Sequence, residues 1–200
     1  CRLKKIYIII INILIVGLIL YIIIKYANDR ASESNRASIA SYEKMTTTTD
    51  QSEDKVYCMR HTLSHIMAAA VKELYPGVKF GIGPAIENGF YYDLDFSEAK
   101  GDDTDPVKIS DEDLPRIEKK MRGIIARNLA MTRFEKSRED AVIWAEENRQ
   151  SYKKELIQDL PEGETISFYA LGDLVDDLCR GPHVANTSEV GPFKLTRVAG

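Results

Sequence analysis

The chain has 200 residues, of which 44% are hydrophobic and 29% charged, and its formal net charge is −4 at pH 7. That length predicts one or two domains with enough apolar residues for a core. The acidic balance argues against a basic nucleic-acid-binding face as the dominant feature, so most affinity for an RNA backbone would come from outside this chain. Three widely spaced cysteines do not form a disulfide framework, and a reducing compartment is expected.

The first part of the chain is unlike a folded domain. Residues 6–24 are an uncharged, Ile-rich run that is long enough to span a bilayer. Residues 1–26 are therefore interpreted either as a transmembrane anchor or as a mistranslated lead, with the start at Met45. Residues 27–55 are polar and low in complexity, which predicts a flexible linker. The folded domain is predicted to cover residues 56–200, and the protein to be cytoplasmic, or anchored to a membrane through residues 6–24.

The first predicted helix carries two histidines. Apolar residues between 57 and 75 recur at three- and four-residue spacing, and Pro76-Gly77 ends the pattern. His61 and His65 lie opposite the centre of this stripe. The helix is therefore predicted to place its apolar face in the core and its two histidines on the wall of a cleft.

The remaining pattern mixes helices with strands. Residues 79–86 and 89–96 are strand-like, and Asn88-Gly89 near their junction predicts a hairpin. Hairpin-connected strands without a regular βαβ rhythm indicate the α+β class. The later helices are predicted at 110–128, 139–148 and 152–159, and the later strands at 131–135, 165–170 and 193–198.

All three histidines and one cysteine fall into two short motifs, His61-x-x-x-His65 and Cys179-x-x-x-His183. Histidines four residues apart lie on one face of a helix, which is a metal-ligand spacing. The four side chains predict one composite site, either a zinc site or a site that holds and activates a water. A Cys–His nucleophile pair is a third interpretation. A metalloprotease is excluded, because Thr62 stands where His-Glu-x-x-His requires glutamate.

Further motifs occur in the order found in threonyl-tRNA synthetases. Residues 57–200 resemble the editing domain of that family, which alanyl-tRNA synthetases share more distantly. The motifs are Arg60-His61 with His65, Phe80-Gly81-Ile82-Gly83-Pro84, Glu87-Asn88-Gly89-Phe90-Tyr91-Tyr92-Asp93, Ser151-Tyr152-Lys153, Asp177-Leu178-Cys179-Arg180-Gly181-Pro182-His183 and Phe193-Lys194-Leu195.

The resemblance implies a two-layer α+β editing domain, in which the long helix with the histidine pair packs on a mainly antiparallel sheet. It also implies hydrolysis of mischarged seryl-tRNA(Thr), because a synthetic site discriminates only about 10–200-fold for a methyl-sized difference. The parent enzyme would be an ATP-dependent threonine–tRNA ligase and a homodimer. Its synthetic and anticodon-binding domains, with their ATP and zinc, would lie beyond Gly200, so the chain is interpreted as a fragment. The expected partner is the acceptor end of tRNA(Thr).

The resemblance also implies which residues form the site. Editing is expected to require no cofactor, and zinc bound by the two histidine motifs is the alternative. The other functions considered are a non-catalytic, zinc-binding, tRNA-associated module and a free-standing aminoacyl-tRNA deacylase. The expected catalytic residues are His61, His65, Lys153, Asp177, Cys179 and His183, and the expected substrate-binding residues are Tyr92, Arg180 and Gly181.

Overall fold

The computed structural model describes residues 54–101 and 107–199. The apolar run 6–24 and nearly all of the predicted linker lie outside the described residues. Within the described ranges, no helix is both long and apolar enough to cross a membrane. The described helices and antiparallel strand pairs confirm the α+β class.

The first helix, α1, comprises residues 54–74. Ile66, Ala70 and Val71 are fully buried on its apolar stripe. His61 and His65, on the other side, are buried as well, at 9% and 2% exposure. The histidine face of α1 therefore packs against protein, and hydrogen bonds from this face to residues 182–184 identify the loop that covers it.

The predicted hairpin is confirmed, with breaks in its ladder. Its inner strands pair antiparallel around a turn at Glu87 and Asn88, and its outer strands pair antiparallel at the open end. Between the two ladders, Gly81 N–H donates to the carbonyl oxygen of Asp93, and Asp93 N–H donates to the carbonyl oxygen of Ile82. The strands are β1 (Lys79–Phe80), β2 (Ala85–Ile86), β3 (Gly89–Phe90) and β4 (Leu94–Asp95).

The second predicted helix is present and begins with an acidic turn. Asp111–Asp113 form a 3-10 turn capped by Ser110, and α2 follows at Leu114–Ala126. Its buried residues Ile117, Met121 and Ile124 join the same core as α1. The acidic first turn and the capping side chain both stabilise the free N–H groups at this end.

The predicted strand at 193–198 is wrong, because these residues form no strand. Two of their backbone N–H groups donate to side chains instead of to a neighbouring strand. Leu195 N–H bonds to Glu118 Oε1 at 2.9 Å, and Val198 N–H bonds to Asp111 Oδ1 at 2.6 Å. Carboxylates of the α2 region therefore satisfy backbone donors that the alternating sequence alone would assign to a sheet.

A three-stranded antiparallel sheet in the order β5-β6-β7 carries the second histidine motif. Its strands are β5 (Met131–Lys136), β6 (Ile166–Leu171) and β7 (Val175–Leu178). Helices α3 (Arg138–Glu147) and α4 (Ser151–Asp159) connect β5 to β6. Phe168 of β6 is fully buried with Ile157 of α4 in a second apolar cluster. This packing fixes α4 beside the end of β7, where the candidate site begins.

Candidate functional site

A cavity of about 420 Å³ lies among α1, the loop at 82–84, α4 and the end of β7. Seven of the nine predicted site residues line it. Tyr92 and His183 are the other two, and both contact residues of the wall. The seven are His61, His65, Lys153, Asp177, Cys179, Arg180 and Gly181.

One wall of the cavity is a hydrogen-bonded group around the sulfur of Cys179. His61 Nε2 lies 3.4 Å from Cys179 Sγ, and His183 Nε2 lies 3.2 Å from it. Gly181 N–H donates to the same sulfur at 3.2 Å. The His61 and His183 rings stack with centroids 4.1 Å apart. The motifs on α1 and after β7 thus form one composite site, as the sequence predicts.

Burial keeps this group uncharged at neutral pH. Loss of solvation lowers the pKa of His61 and lowers that of His183 to about 2. The same cause raises the pKa of the Cys179 thiol to about 11. A thiolate–imidazolium pair, which a cysteine nucleophile requires, is therefore disfavoured, and a neutral imidazole is favoured.

A second wall of the cavity contains a buried ion pair. Lys153 Nζ of α4 lies 2.6 Å from Asp177 Oδ1 of β7, and the two side chains are 3% and 7% exposed. Tyr92 donates its hydroxyl hydrogen to the other oxygen of Asp177, while Lys153 Nζ lies 3.2 Å from that hydroxyl. Burial, followed by the charge of Asp177, raises the pKa of Tyr92 well above its usual value. The phenol is therefore a neutral donor that orients the carboxylate.

His65 lies between the two walls. Its Nδ1 is buried without a hydrogen-bond partner and stands 3.9 Å from Asp177 Oδ2. Burial, and then the nearby His61 and Lys153, lowers its pKa well below the usual value. A buried imidazole nitrogen without a partner costs free energy, and such groups mark places where a ligand or water completes the bonding.

Comparisons with known proteins identify relatives of the chain. The family model for the threonyl and alanyl tRNA synthetase second additional domain matches residues 166–200, which include β6, β7 and the second motif. The threonine–tRNA ligase of Acetivibrio thermocellus is 54% identical over 141 residues, which are 70% of this chain and 21% of that protein. That of Clostridium novyi is 53% identical over 142 residues, 71% of this chain and 21% of that protein. The chain belongs to the threonyl-tRNA synthetase family.

The similarity covers one part of those synthetases. Threonine–tRNA ligase 1 of Bacillus subtilis is 46% identical over 152 residues, which are 76% of this chain and 22% of that protein. The chain thus spans about a fifth of the length of the curated relatives that it matches.

Two of the residues expected to bind substrate in this synthetase family have structural partners here. The guanidinium of Arg180 pairs with Glu164, and 74% of the Arg180 side chain is exposed. Gly181 has φ +75°, and a Cβ added there would lie 2.5 Å from the hydroxyl oxygen of Tyr169. Gly181 is thus required by the loop's backbone as well as by its position at the cavity.

Sequence reasoning did not identify two hydroxyl side chains of α1 that support the site. Ser64 donates to the carbonyl oxygens of His61 and Gly83, at 2.8 and 2.6 Å. Thr62 contacts the ring of His183. Both hydroxyls lie within the His61–His65 motif, but they face different parts of the protein: Thr62 contacts the covering loop at His183 and Val184, and Ser64 contacts Gly83. Their position between the two histidines was the available signal.

The donor set can also accept a metal. One ligand atom from each of His61, His65, Cys179 and His183 lies within 4.8 Å of the others. Zinc takes one cysteine sulfur and three imidazole nitrogens at about 2.0–2.3 Å, which puts neighbouring donors roughly 3.3–3.6 Å apart. The four side chains therefore could hold a tetrahedral zinc ion after the donors move closer together. With four protein ligands such an ion would be structural, because it would have no open position for a water.

Proposed function

We propose that the cavity hydrolyses the ester of mischarged seryl-tRNA(Thr), as the editing site of a threonyl-tRNA synthetase. The observation that carries this proposal is the meeting of a neutral imidazole, His61, with a buried Lys153–Asp177 pair across one cavity of about 420 Å³. A proton acceptor and a fixed pair of opposite charges are what hydrolysis of an aminoacyl ester needs. The resemblance of the chain to threonine–tRNA ligases supports the choice of substrate.

The reaction uses one water. The water gives a proton to Nε2 of His61 while its oxygen bonds to the ester carbonyl carbon. The bond from that carbon to the ribose oxygen then breaks, and the ribose oxygen takes a proton back from His61. Lys153 places positive charge near the oxygen that becomes negative, and Asp177 accepts hydrogen bonds from the substrate's ammonium group. No covalent intermediate with Cys179 is needed, in keeping with its raised pKa.

The proposed partner is the acceptor end of tRNA(Thr). The activities expected of a whole synthetase are part of the same proposal: ligation of threonine to tRNA with ATP, a zinc-containing synthetic domain, an anticodon-binding domain and a homodimer, in the cytoplasm. In that protein the described residues would supply the editing step. A free-standing deacylase would perform the same reaction without the other domains.

A second candidate function is a zinc-stabilised, non-catalytic tRNA-associated module. The four converging donor atoms favour it. Stoichiometric zinc in the purified chain, together with unfolding on chelation, would support this module over the hydrolase.

The deciding experiment measures release of serine from seryl-tRNA(Thr), with threonyl-tRNA(Thr) as the substrate control. We expect the chain, supplemented with the synthetic and anticodon-binding domains of a relative, to hydrolyse the seryl ester preferentially. His61→Ala should lower the rate by about 10²–10⁴-fold, the usual contribution of a positioned general base. Glu147→Ala, at an exposed position at the end of α3, is the control and should not change it. Equal rates for wild type and His61→Ala would refute the proposal.

A further inference from the structure

The hydroxyl of Thr62 is in an unusual position for a helical threonine, since it joins the two motifs of the site. It is completely buried on α1. Its oxygen accepts the backbone N–H of Val184 at 3.2 Å and lies 3.2 Å from Nδ1 of His183. These are its hydrogen-bond contacts among the described residues. The direction of the Thr62–His183 hydrogen bond therefore depends on whether Nδ1 of His183 carries a proton.

The direction of this hydrogen bond follows from counting donors. The Thr62 oxygen already accepts from Val184, and its own hydrogen needs an acceptor in a site without solvent. The one acceptor within reach among the described residues is His183 Nδ1. His183 Nδ1 is thus unprotonated, and the single proton of the neutral ring is on Nε2, which points at Cys179 Sγ from 3.2 Å.

His61 is held in the opposite arrangement. Its Nδ1 lies 3.1 Å from the carbonyl oxygen of Pro182, which can only accept a hydrogen bond, so Nδ1 carries the proton. Its Nε2 then has a free electron pair, directed at the same sulfur from 3.4 Å. Two stacked imidazoles with similar surroundings therefore present opposite groups to Cys179: His183 a donor and His61 an acceptor.

We propose that Thr62 is a positioning residue for hydrolysis, because it holds His183 as the donor to Cys179 and thereby leaves His61 as the acceptor for the water's proton. The sulfur receives His183 Nε2–H on one side and Gly181 N–H on another. Both of its acceptor positions are then taken, so it does not compete for the water. The thiol hydrogen, a weak donor, is displaced from His61 by a water O–H.

This inference rests on the proposed function for its kinetic part only. The tautomer of His183 can be measured in the whole chain by ¹⁵N NMR of labelled histidine, whatever the protein catalyses. We expect Nδ1 of His183 to give the resonance of an unprotonated, hydrogen-bonded nitrogen in the wild type and in Thr62→Ser. In Thr62→Val, which keeps the shape and removes the hydroxyl, this resonance should move downfield. Ser64→Ala, which removes a neighbouring buried hydroxyl of α1, should leave it in place.

The kinetic part compares the same variants on seryl-tRNA(Thr). We expect Thr62→Val to lower kcat by about 10-fold or more, with KM within about twofold, while Thr62→Ser keeps most of the rate. A His183 Nδ1 that is protonated in the wild type overturns the inference, and this measurement does not depend on whether Thr62→Val folds. A resonance that stays in place in folded Thr62→Val also overturns it. If the expected NMR result is found but the wild type does not deacylate seryl-tRNA(Thr), the hydrogen-bond assignment is supported and the proposed function fails.

Discussion

Replacing Lys153 by methionine tests the buried ion pair that forms one wall of the cavity. Methionine fills a similar volume and removes the ammonium that lies 2.6 Å from Asp177. Lys153 and Asp177 are both buried, so water does not replace the lost partner. Tyr92 alone would then solvate the carboxylate through its hydroxyl.

The expected cost is large for a single substitution. Removing one partner of a buried pair costs about 3–5 kcal/mol, since an uncompensated charge is left behind. In a domain of about 150 residues, each 1 kcal/mol lowers Tm by roughly 2–4 °C, so a decrease of about 6–20 °C is expected. Lys153→Met combined with Asp177→Asn removes both charges and should recover much of the loss.

Thermal and urea unfolding of the whole chain measure this effect. The control is Arg127→Met, which breaks the ion pair between Arg127 and Asp173. Their charged atoms lie 3.0 Å apart, and their side chains are 44% and 77% exposed. That solvent-exposed pair should contribute less than about 1 kcal/mol. If Lys153→Met costs no more than Arg127→Met, or if the double variant is no more stable than Lys153→Met, the account of this wall is refuted.

Three further predictions concern the other parts of the site. Because burial raises the pKa of Cys179 to about 11, iodoacetamide should alkylate it roughly 100-fold more slowly at pH 8 than an exposed thiol of pKa 9.0; rapid alkylation would restore the cysteine-nucleophile interpretation. The buried histidines have folded pKa values below the usual 6.5, so the unfolded state takes up protons first as the pH falls. The free energy of unfolding should thus decrease below about pH 6.5, by up to about 1.4 kcal/mol per pH unit for each histidine; equal stability at pH 7.5 and 5.5 in chelator-treated protein would contradict this. Gly181→Ala should lower Tm by more than Gly163→Ala, because both glycines have positive φ but only a Cβ at Gly181 meets Tyr169; a larger loss for Gly163→Ala would show that the Tyr169 contact does not constrain the loop.

Local signals in the sequence were sufficient for much of the fold. The apolar stripe of α1 and the Asn88-Gly89 pair each specify an element within a few residues, and Ser137 is a cap residue placed just before α3. The hairpin differs from the two continuous strands that were predicted, because its outer and inner strands pair in two separate ladders. These elements depend on residues close in sequence, which is why the pattern identifies them.

Elements that depend on distant partners were less predictable. Residues 193–198 alternate like a strand, yet carboxylates of Asp111 and Glu118 bind their backbone. The histidine motifs identified the composite site, but their spacing could not distinguish a donor from an acceptor. That distinction comes from the hydrogen bonds of His61 with Pro182 and of His183 with Thr62. Both bonds join α1 to the covering loop, so they depend on the tertiary fold.

Single-turnover hydrolysis of seryl-tRNA(Thr) by the metal-free chain, supplied with the synthetic and anticodon-binding domains of a relative, tests the role of His61 most directly. The account predicts hydrolysis that His61→Ala lowers by about 10²–10⁴-fold, while Glu147→Ala leaves it unchanged. Hydrolysis that appears only when zinc is added would contradict the role given to His61, and hydrolysis that is insensitive to His61 would place the reaction elsewhere.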